Sequence, residues 1–267
     1  MPLIIFNKLK EKIRPVLEWK KDYIKTDIIY LTNGGFWLFM GQVTSFLFSF
    51  LLSIAFANLI SKEIFGNYRY ILALGATLSA FTLTGMNTAV SQAVARGFDG
   101  IYQKSVKVQI KWGSITFIAA VILALWYFYQ GNYNLAIGVL IAGCSLPLTN
   151  SFNTFTAFLT GKKSFARLSI YNTYISFFST LTTFIALIIS HNLIIMLLGY
   201  FLSNIALNYY FHTRIKTESN DNVDNETISY GKHLSFSNWF PVLIQQIELI
   251  LIFHYLGESS LAYYYFI

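Results

Sequence analysis

The sequence predicts an all-α fold, a polytopic bundle of transmembrane helices, and three observations support this class. First, the 267 residues are 55% hydrophobic and only 12% charged, about half the charged fraction of a water-soluble domain. Second, seven apolar blocks reach or approach the roughly 20 residues that cross a bilayer as a helix. Third, these blocks do not alternate in polarity over about ten residues, as the strands of a membrane barrel would.

The seven predicted spans divide the chain into two unequal parts. In order they are Phe36–Ile60, Tyr68–Ala95, Gly113–Tyr129, Leu135–Phe158, Leu168–Ser190, Leu193–His212 and Leu234–Tyr255. The second is the least apolar, and Pro147 is expected to kink the fourth because proline removes a backbone hydrogen bond. We therefore expect an N-terminal segment at 1–30, a first six-helix lobe at 31–212, a linker at 213–233, and the start of a second lobe at 234–267 that holds span 7 and the beginning of span 8.

The basic residues predict the orientation of these spans. All but Lys62 and Arg69 of the 19 lysines and arginines lie in the N-terminal segment or in the second, fourth and sixth connections. These segments share one side of the membrane if the spans alternate, and the side rich in Lys and Arg is cytoplasmic. The N-terminus is therefore predicted to be cytoplasmic. The net charge of +7 then reflects topology and not nucleic-acid binding.

Two polar segments accompany the predicted spans. In the N-terminal segment, apolar residues recur at helical spacing at Phe6, Leu9, Ile13 and Leu17. This pattern fits an amphipathic helix on the inner leaflet or a solvated tail, and both interpretations stay open. Residues 216–230 form the only long polar stretch, which predicts a flexible cytoplasmic linker.

Polar side chains follow single helical faces in several predicted spans. The stripes are Gln42, Ser45, Ser49 and Ser53 in span 1, Thr84, Asn87, Thr88, Ser91 and Gln92 in span 2, Asn150, Asn153 and Thr154 in span 4, and Ser169, Asn172, Thr173, Ser176, Ser179, Thr180 and Thr183 in span 5. For the serines, close helix packing and cavity lining both remain open. Amides are costly to leave unsatisfied, which favours a water-filled cavity suited to a sugar-bearing headgroup. Its predicted lining is Gln42, Asn87, Ser91, Gln92, Asn150, Asn172 and Gln245.

Three charged residues near or within the spans are candidate functional residues. Glu248 lies near the middle of span 7, where an ionised acid costs about 2.5–3.5 kcal/mol. It is either an ion or proton site, or a neutral acid hydrogen-bonded within the bundle. Arg69 either reaches the outer headgroups or holds a phosphate. Arg96 either contributes only to the charge bias that sets the orientation, or binds a lipid pyrophosphate. A guanidinium can bind phosphate through two hydrogen bonds.

Other chemistries find little support in the sequence. Cys144 is the single cysteine, which excludes a disulfide and a CxxC metal site, and the four histidines have no metal-ligand spacing. No metal site, cofactor or catalytic set is predicted. The outer connections at 130–134 and 190–192 are short, which disfavours a membrane enzyme such as a polymerase or acyltransferase.

An internal repeat precedes the most specific signal in the sequence. Residues 60–70 align without gaps with residues 256–266, at an offset of 196 residues, or six spans, as in a parallel repeat. Four stretches, LISKEIFGNYRYI at 59–71, GMNTAVSQAVARG at 85–97, YGKHLSF at 230–236 and QIELILIFHYLGESSLAYY at 246–264, resemble the polysaccharide-biosynthesis (O-antigen, Wzx-like) flippase family of the multidrug/oligosaccharidyl-lipid/polysaccharide exporter superfamily. Members have two six-helix lobes around a central cavity, and an acid at the place of Glu248. Because the sequence stops as span 8 begins, we expect it to be the N-terminal portion of a longer protein.

The resemblance implies a function and its partners. It implies flipping of undecaprenyl-pyrophosphate-linked oligosaccharide from the inner to the outer leaflet of a bacterial plasma (inner) membrane. The expected partners are this lipid-linked oligosaccharide, membrane lipids and a polysaccharide polymerase, with no cofactor but with H⁺ or Na⁺ coupling as an option. A cation-coupled drug antiporter is the alternative within the superfamily. It ranks lower because spans 1 to 6 carry no acid at mid-membrane.

Overall fold

The computed structural model describes residues 28–224 and 226–266, with side chains from 34 onward, except residues 225 and 266. Its helices are α1 Ile28–Leu59, α2 Lys62–Ser79, α3 Met86–Ala95, α4 Ile101–Tyr129, α5 Tyr133–Phe152, α6 Phe155–Gly161, α7 Phe165–Ser190, α8 Leu193–Lys216, α9 Glu226–Ser237, α10 Trp239–Leu256 and α11 Glu258–Phe266. The described residues form helices and turns and no strand, so the all-α prediction is confirmed. The amphipathic helix predicted near the N-terminus lies outside the described residues.

Among the described residues, six helical stretches are long and apolar enough to cross a membrane. They are Gly34–Leu59, Ile101–Tyr129, Tyr133–Gly161, Phe165–Ser190, Leu193–Lys216 and Glu226–Leu256. Each overlaps one predicted span, which supports a polytopic helix bundle. The stretch Ile101–Tyr129 begins well before the predicted third span, Gly113–Tyr129. A membrane helix can continue into the headgroup region, where its lysines are solvated.

The predicted second span, Tyr68–Ala95, is wrong as a continuous helix, so a seventh span of this kind is not confirmed. The chain forms α2 and α3 instead, separated by residues 80–85. The interruption contains Thr82, Thr84 and Gly85, all poorer helix formers than alanine or leucine. The Thr82 hydroxyl also donates to the carbonyl of Ser79 at 2.6 Å, a local bond of the kind that competes with helix propagation.

The α2–α3 pair nevertheless runs beside α5–α6 over most of its length. The helices approach closely at two glycines. Ile71 packs against Gly138 and Val94 against Gly161, and in both places there is no room for a Cβ on the glycine. Between them, Asn150 of α5 donates to Thr82 at 3.4 Å. Since Tyr133–Gly161 is itself long enough to cross a membrane, the two half-helices together extend a comparable distance.

Small residues bring α1 and α7 together as parallel neighbours. The Ser169 hydroxyl donates to the carbonyl of Trp37 at 2.5 Å, and the hydroxyls of Ser45 and Ser176 lie 3.0 Å apart. Gly41 of α1 faces Ser169 so closely that a Cβ would collide with it. At these serines, therefore, the structure supports helix packing rather than cavity lining.

One end of the bundle collects the described basic residues of the second, fourth and sixth connections. Lys162 pairs with Asp99 at 2.7 Å, Arg167 with Glu218 at 2.7 Å, and Arg96 with Asp224 at 3.1 Å. We call this end, defined by those three ion pairs and residues 217–224, the basic end. Lys62 and Arg69 lie at the opposite end. The alternation predicted from charge is thus reproduced by the fold, while the assignment of the basic end to the cytoplasm stays a prediction.

The described residues of the predicted linker contact the helix bundle. Within the range 213–233, α8 continues to Lys216 and α9 begins at Glu226. The described residues between them lie on the connection that follows α3. The Gly100 amide donates to the carbonyl of Asn222 at 2.8 Å, and the Gln103 side chain donates to the Ser219 hydroxyl at 2.7 Å. Residues 217–224 thus have backbone and side-chain partners on the bundle, while the flexibility of the segment stays a prediction.

The internal repeat has a structural counterpart. The helices α2 and α11 begin at Lys62 and Glu258, which are equivalent positions in the repeat. The two helices pack against each other: Gly66 lies against the carbonyl of Glu258 with no space for a Cβ, and Lys62 contacts the hydroxyl of Tyr263. Equivalent helices of the two copies thus form one contact at the end opposite the basic end.

Candidate functional site at two adjoining helix breaks

The first break, residues 80–85 between α2 and α3, satisfies its own backbone with short-range bonds. The amides of Ala80, Phe81 and Thr82 donate to carbonyls three residues earlier, at 2.9–3.1 Å, and the Met86 amide donates to the carbonyl of Leu83 at 3.0 Å. Such tight turns are common where a helix is interrupted. They explain how an irregular segment persists inside an apolar bundle, where an unpaired backbone group would cost several kcal/mol.

A second break, between α9 and α10, lies directly beside the first. Its Asn238 amide donates to the carbonyls of both Leu234 and Ser235 at 3.1 Å. Pro241, in the first turn of α10, has no amide proton, so the carbonyl of Ser237 loses its usual helical partner. Proline is tolerated in a first turn. This residue therefore helps to place the break at Asn238.

The two breaks are in contact. The Gly85 amide donates to the Ser235 hydroxyl at 3.1 Å, and a Cβ on Gly85 would meet the backbone of Leu234 and Ser235 at 2.5 Å. The ring centroids of Phe81 and Trp239 are 5.6 Å apart. A glycine is thus required here for close approach, and the two interruptions lie side by side.

The polar residues of α3 do not share one surface. Thr88 and Gln92 are exposed, whereas Val90 and Val94 are buried. Ser91 is half-buried, and its carbonyl lies 2.6 Å from where a Cβ on Gly161 would stand. The helix surface away from the bundle therefore carries a threonine and an amide.

Asn87, in the first turn of α3, is half-buried and differs from Gln92. Its Oδ1 is buried and has no hydrogen-bond partner among the described residues, and the same holds for Thr84 Oγ1 at the break. On a helical wheel, Asn87 points to the side that packs on α6, while Gln92 points away from it. The predicted trio of Asn87, Ser91 and Gln92 is thus spread from the interior to the surface.

The other predicted cavity residues lie at separate places. Asn150 is half-buried and reaches the first break through its bond to Thr82. Gln42 on α1, Asn172 on α7 and Gln245 on α10 are exposed on the surface of the described bundle. Only Asn150, with the residues of α3, is brought to the breaks.

Glu248 is exposed on α10 and is not enclosed by the described helices. The hydroxyl of Tyr264 on α11 lies beside its carboxylate. The acid therefore lies on a surface of span 7 where α10 and α11 meet, one helical turn from Gln245. A hydroxyl partner can bond to either protonation state of the carboxyl group.

The two candidate arginines have protein partners. The guanidinium of Arg69 lies 5.1 Å from the ring centroid of Phe65 and 4.3 Å from that of Tyr265, so it joins α2 to α11 through cation–π contacts. Its Nε is buried without a hydrogen-bond partner among the described residues. Arg96, at the end of α3, is largely exposed and pairs with Asp224 at 3.1 Å.

Two acids of the basic end, Asp224 and Glu218, are held by hydrogen bonds and by arginine side chains. The side chain of Asp224 accepts bonds from the Thr227 hydroxyl at 2.8 Å and from the Glu226 amide at 3.0 Å, and so caps α9. The Thr227 bond, the Glu226 amide and Arg96 together hold the pKa of Asp224 below its usual range. The two-pronged bond from Arg167 likewise lowers the pKa of Glu218. Such exposed pairs stabilise a fold only weakly, so their role is chiefly positional.

Sequence reasoning missed several residues that build this region. Gly85, Ser235 and Asp224 were not singled out for contact, because their partners lie far away along the chain. The low apolarity of the second predicted span was the available signal, since an interrupted helix tolerates more polar residues. A buried bond from Gln109 to Thr154 at 2.8 Å was also not anticipated.

The helices, their apolar outer surfaces and the paired breaks define the class of this molecule, a multi-pass helical membrane protein. A family model described as polysaccharide biosynthesis protein matches residues 31–267. The match covers most of the chain, and the chain belongs to that family, as its resemblance indicated. No curated protein and no solved structure matches it significantly.

Proposed function

We propose that this protein is a flippase that moves undecaprenyl-pyrophosphate-linked oligosaccharide from the inner to the outer leaflet of a bacterial plasma membrane. The observation that supports it is the pair of adjoining breaks in spans 2 and 7 of a polysaccharide biosynthesis protein. Discontinuous helices near mid-membrane are typical of the substrate sites of transporters. In this proposal α2 and α3 together form a seventh crossing, and the basic end faces the cytoplasm.

The proposed path follows the polar surface of the two interrupted spans. The headgroup passes along Gln92 and Gln245, whose amides offer both donors and acceptors to hydroxyl groups. The lipid tail stays in the membrane, so no covalent bond changes and no catalytic set is needed. At the outer leaflet, a polysaccharide polymerase is the expected consumer of the product.

Arg96 is the proposed first contact for the pyrophosphate at the basic end. Its guanidinium now binds Asp224 through one nitrogen, at 3.1 Å. A pyrophosphate offers a bidentate acceptor with more charge than a carboxylate. The guanidinium N–H groups that do not bind Asp224 would donate to phosphate oxygens, so the Arg96–Asp224 pair can persist when substrate enters. Glu248 is the proposed coupling residue for a proton or sodium gradient.

Cysteine scanning of residues 84–95 tests whether the polar surface of α3 is wet. In a Cys144→Ser background, cysteines at Thr88 and Gln92 are expected to react with a membrane-impermeant thiol reagent at least about tenfold faster than cysteines at Val90 and Val94. The reason is that the reactive thiolate forms in water and not in packed protein or lipid. Reactivity should fall when lipid-linked oligosaccharide is added.

Ile122 on α4 provides the matched control. It is 63% exposed, but its neighbours on the same helical face are apolar. A cysteine there should stay unreactive if exposed apolar surface faces lipid. Equal reactivity at Ile122 and Gln92, or a flat profile along α3, would contradict a water-filled path beside this helix.

A further inference from the structure

We propose that the two adjoining breaks act as a paired hinge that divides spans 2 and 7 at the same depth into two blocks. The basic-end block consists of α3 and α9, and the opposite block consists of α2, α10 and α11. The hinge would open the basic end while the opposite end stays closed. This role rests on the proposed flippase function. It differs from a motion of whole six-helix lobes, because each block contains part of span 2 and part of span 7.

The basic-end block is tied together at both of its ends. At the break, the Gly85 amide bonds to Ser235, and a Cβ on Gly231 would meet the Met86 sulfur at 2.5 Å. At the basic end, Arg96 follows α3 and pairs with Asp224, the residue that caps α9. Because these attachments lie at opposite ends of α3, we expect α3 and α9 to move together.

The opposite block has its own strong contacts. The rings of Tyr70 on α2 and Phe253 on α10 stack with centroids 3.6 Å apart and planes 4° apart. The guanidinium of Arg69 lies over the ring of Tyr265 on α11 at 4.3 Å. These contacts join span 2 to span 7 and the following helix, independently of the basic-end block.

Few interactions join the two blocks across the breaks. Residues 80–85 hold short-range turn bonds in place of continuous helical ones, and α9 and α10 meet end to end at Asn238. The aromatic rings at the junction are Phe81, Phe236 and Trp239, with centroids 4.6–5.6 Å apart. Aromatic rings can slide on one another without losing a directional bond. A hinge of a few residues between packed blocks is a common means of domain closure.

A disulfide between α3 and α9 would distinguish the paired hinge from a motion of whole lobes. A Cβ on Gly231 would lie 3.3 Å from the Cβ of Ala89, close to the 3.5–4.5 Å range of a disulfide. We therefore combine Ala89→Cys, Gly231→Cys and Cys144→Ser. After oxidation, the paired hinge predicts that export of surface polysaccharide stays above about half of the reduced level, because the block moves as a unit. Lobe motion separates α3 from α9 and predicts export at least about fivefold lower.

The matched controls isolate the effect of the cross-link. The same variant under reducing conditions reports whether the two cysteines themselves disturb the fold. A second pair, Gly41→Cys with Ser169→Cys, joins α1 to α7, and both motions leave this seam intact. If the Cys144→Ser reference fails to support export, the proposed function fails and the hinge is then judged by distance measurements alone.

Those distances come from spin labels on the purified chain in lipid nanodiscs, with and without lipid extract from the host strain. Labels at Thr88 and Ser229, on α3 and α9, should give one unchanged distance. Labels at Glu63 and Gln92, on α2 and α3, should change their distance when the extract is added. A shift between Thr88 and Ser229 with none between Glu63 and Gln92 would overturn the paired hinge.

Discussion

Replacing Gly85 by alanine is expected to abolish export and to lower the amount of folded protein in the membrane. The new Cβ would meet the backbone of Leu234 and Ser235 at 2.5 Å, and backbone atoms cannot move aside as a flexible side chain can. Overpacking of this kind costs about 1–3 kcal/mol. Separation of α3 from α9 would also break the Gly85–Ser235 hydrogen bond, worth about 1 kcal/mol. Thermal unfolding in detergent and immunoblotting of membranes measure the loss.

Two other glycines provide graded controls for this change. Gly35→Ala places its Cβ where nothing lies within 4 Å, so it should be neutral or stabilise α1 by about 0.5–1 kcal/mol. Gly231→Ala meets the movable sulfur of Met86 and should have an intermediate effect. If Gly85→Ala behaves like Gly35→Ala, the close contact of the two breaks is absent from the working protein.

Replacing Glu248 by glutamine is expected to leave the protein folded but to reduce export by about fivefold or more, the lower range of a typical coupling energy. An amide can accept the bond from Tyr264 as the carboxylate does, so the local structure should persist. The amide cannot gain or lose a proton, however. Coupling to an ion gradient through this residue would then be lost. Surface polysaccharide per cell, normalised to the amount of membrane protein, gives the result.

Glu63→Gln is the charge-matched control for this experiment. Glu63 is exposed in the first turn of α2, where an acid contributes about 0.3–1 kcal/mol through the helix dipole, and export should hardly change. Full export by Glu248→Gln would instead assign Glu248 a structural role as a hydrogen-bond acceptor for Tyr264.

The long apolar helices could be predicted from sequence because their signal is local. The predicted Leu168–Ser190 and Leu193–His212 correspond closely to α7 and α8, since twenty consecutive apolar residues favour a membrane helix whatever their neighbours. The charge pattern was equally informative about the two ends of the bundle, because basic residues of the second, fourth and sixth connections meet at one end.

The breaks could not be predicted because their cause is tertiary. Gly85 and Ser235 lie 150 residues apart, and only their contact explains why this glycine is needed. Without that partner, Tyr68–Ala95 looks like a weak but continuous span. The helical wheel gave a polar stripe on α3, yet it could not indicate that Asn87 packs inward while Gln92 faces out.

The contacts of the segment at 217–224 could not be predicted for the same reason. Its composition is typical of a flexible linker. Arg96 and Asp224, however, are 128 residues apart, and the fold brings them together only after α3 and α9 have packed. Polar composition indicates that a segment lies outside the membrane, but it does not indicate whether the segment is held there.

The proposed function is movement of a lipid-linked oligosaccharide between leaflets. The most direct test is to measure in which leaflet that lipid lies. In a strain that requires this gene for its surface polysaccharide, depletion of the protein should trap the lipid-linked oligosaccharide in the inner leaflet. There a membrane-impermeant glycan-modifying reagent cannot reach it in intact spheroplasts. Restoring the protein should make most of it accessible. Equal accessibility of the lipid-linked oligosaccharide with and without the protein would contradict the flippase account.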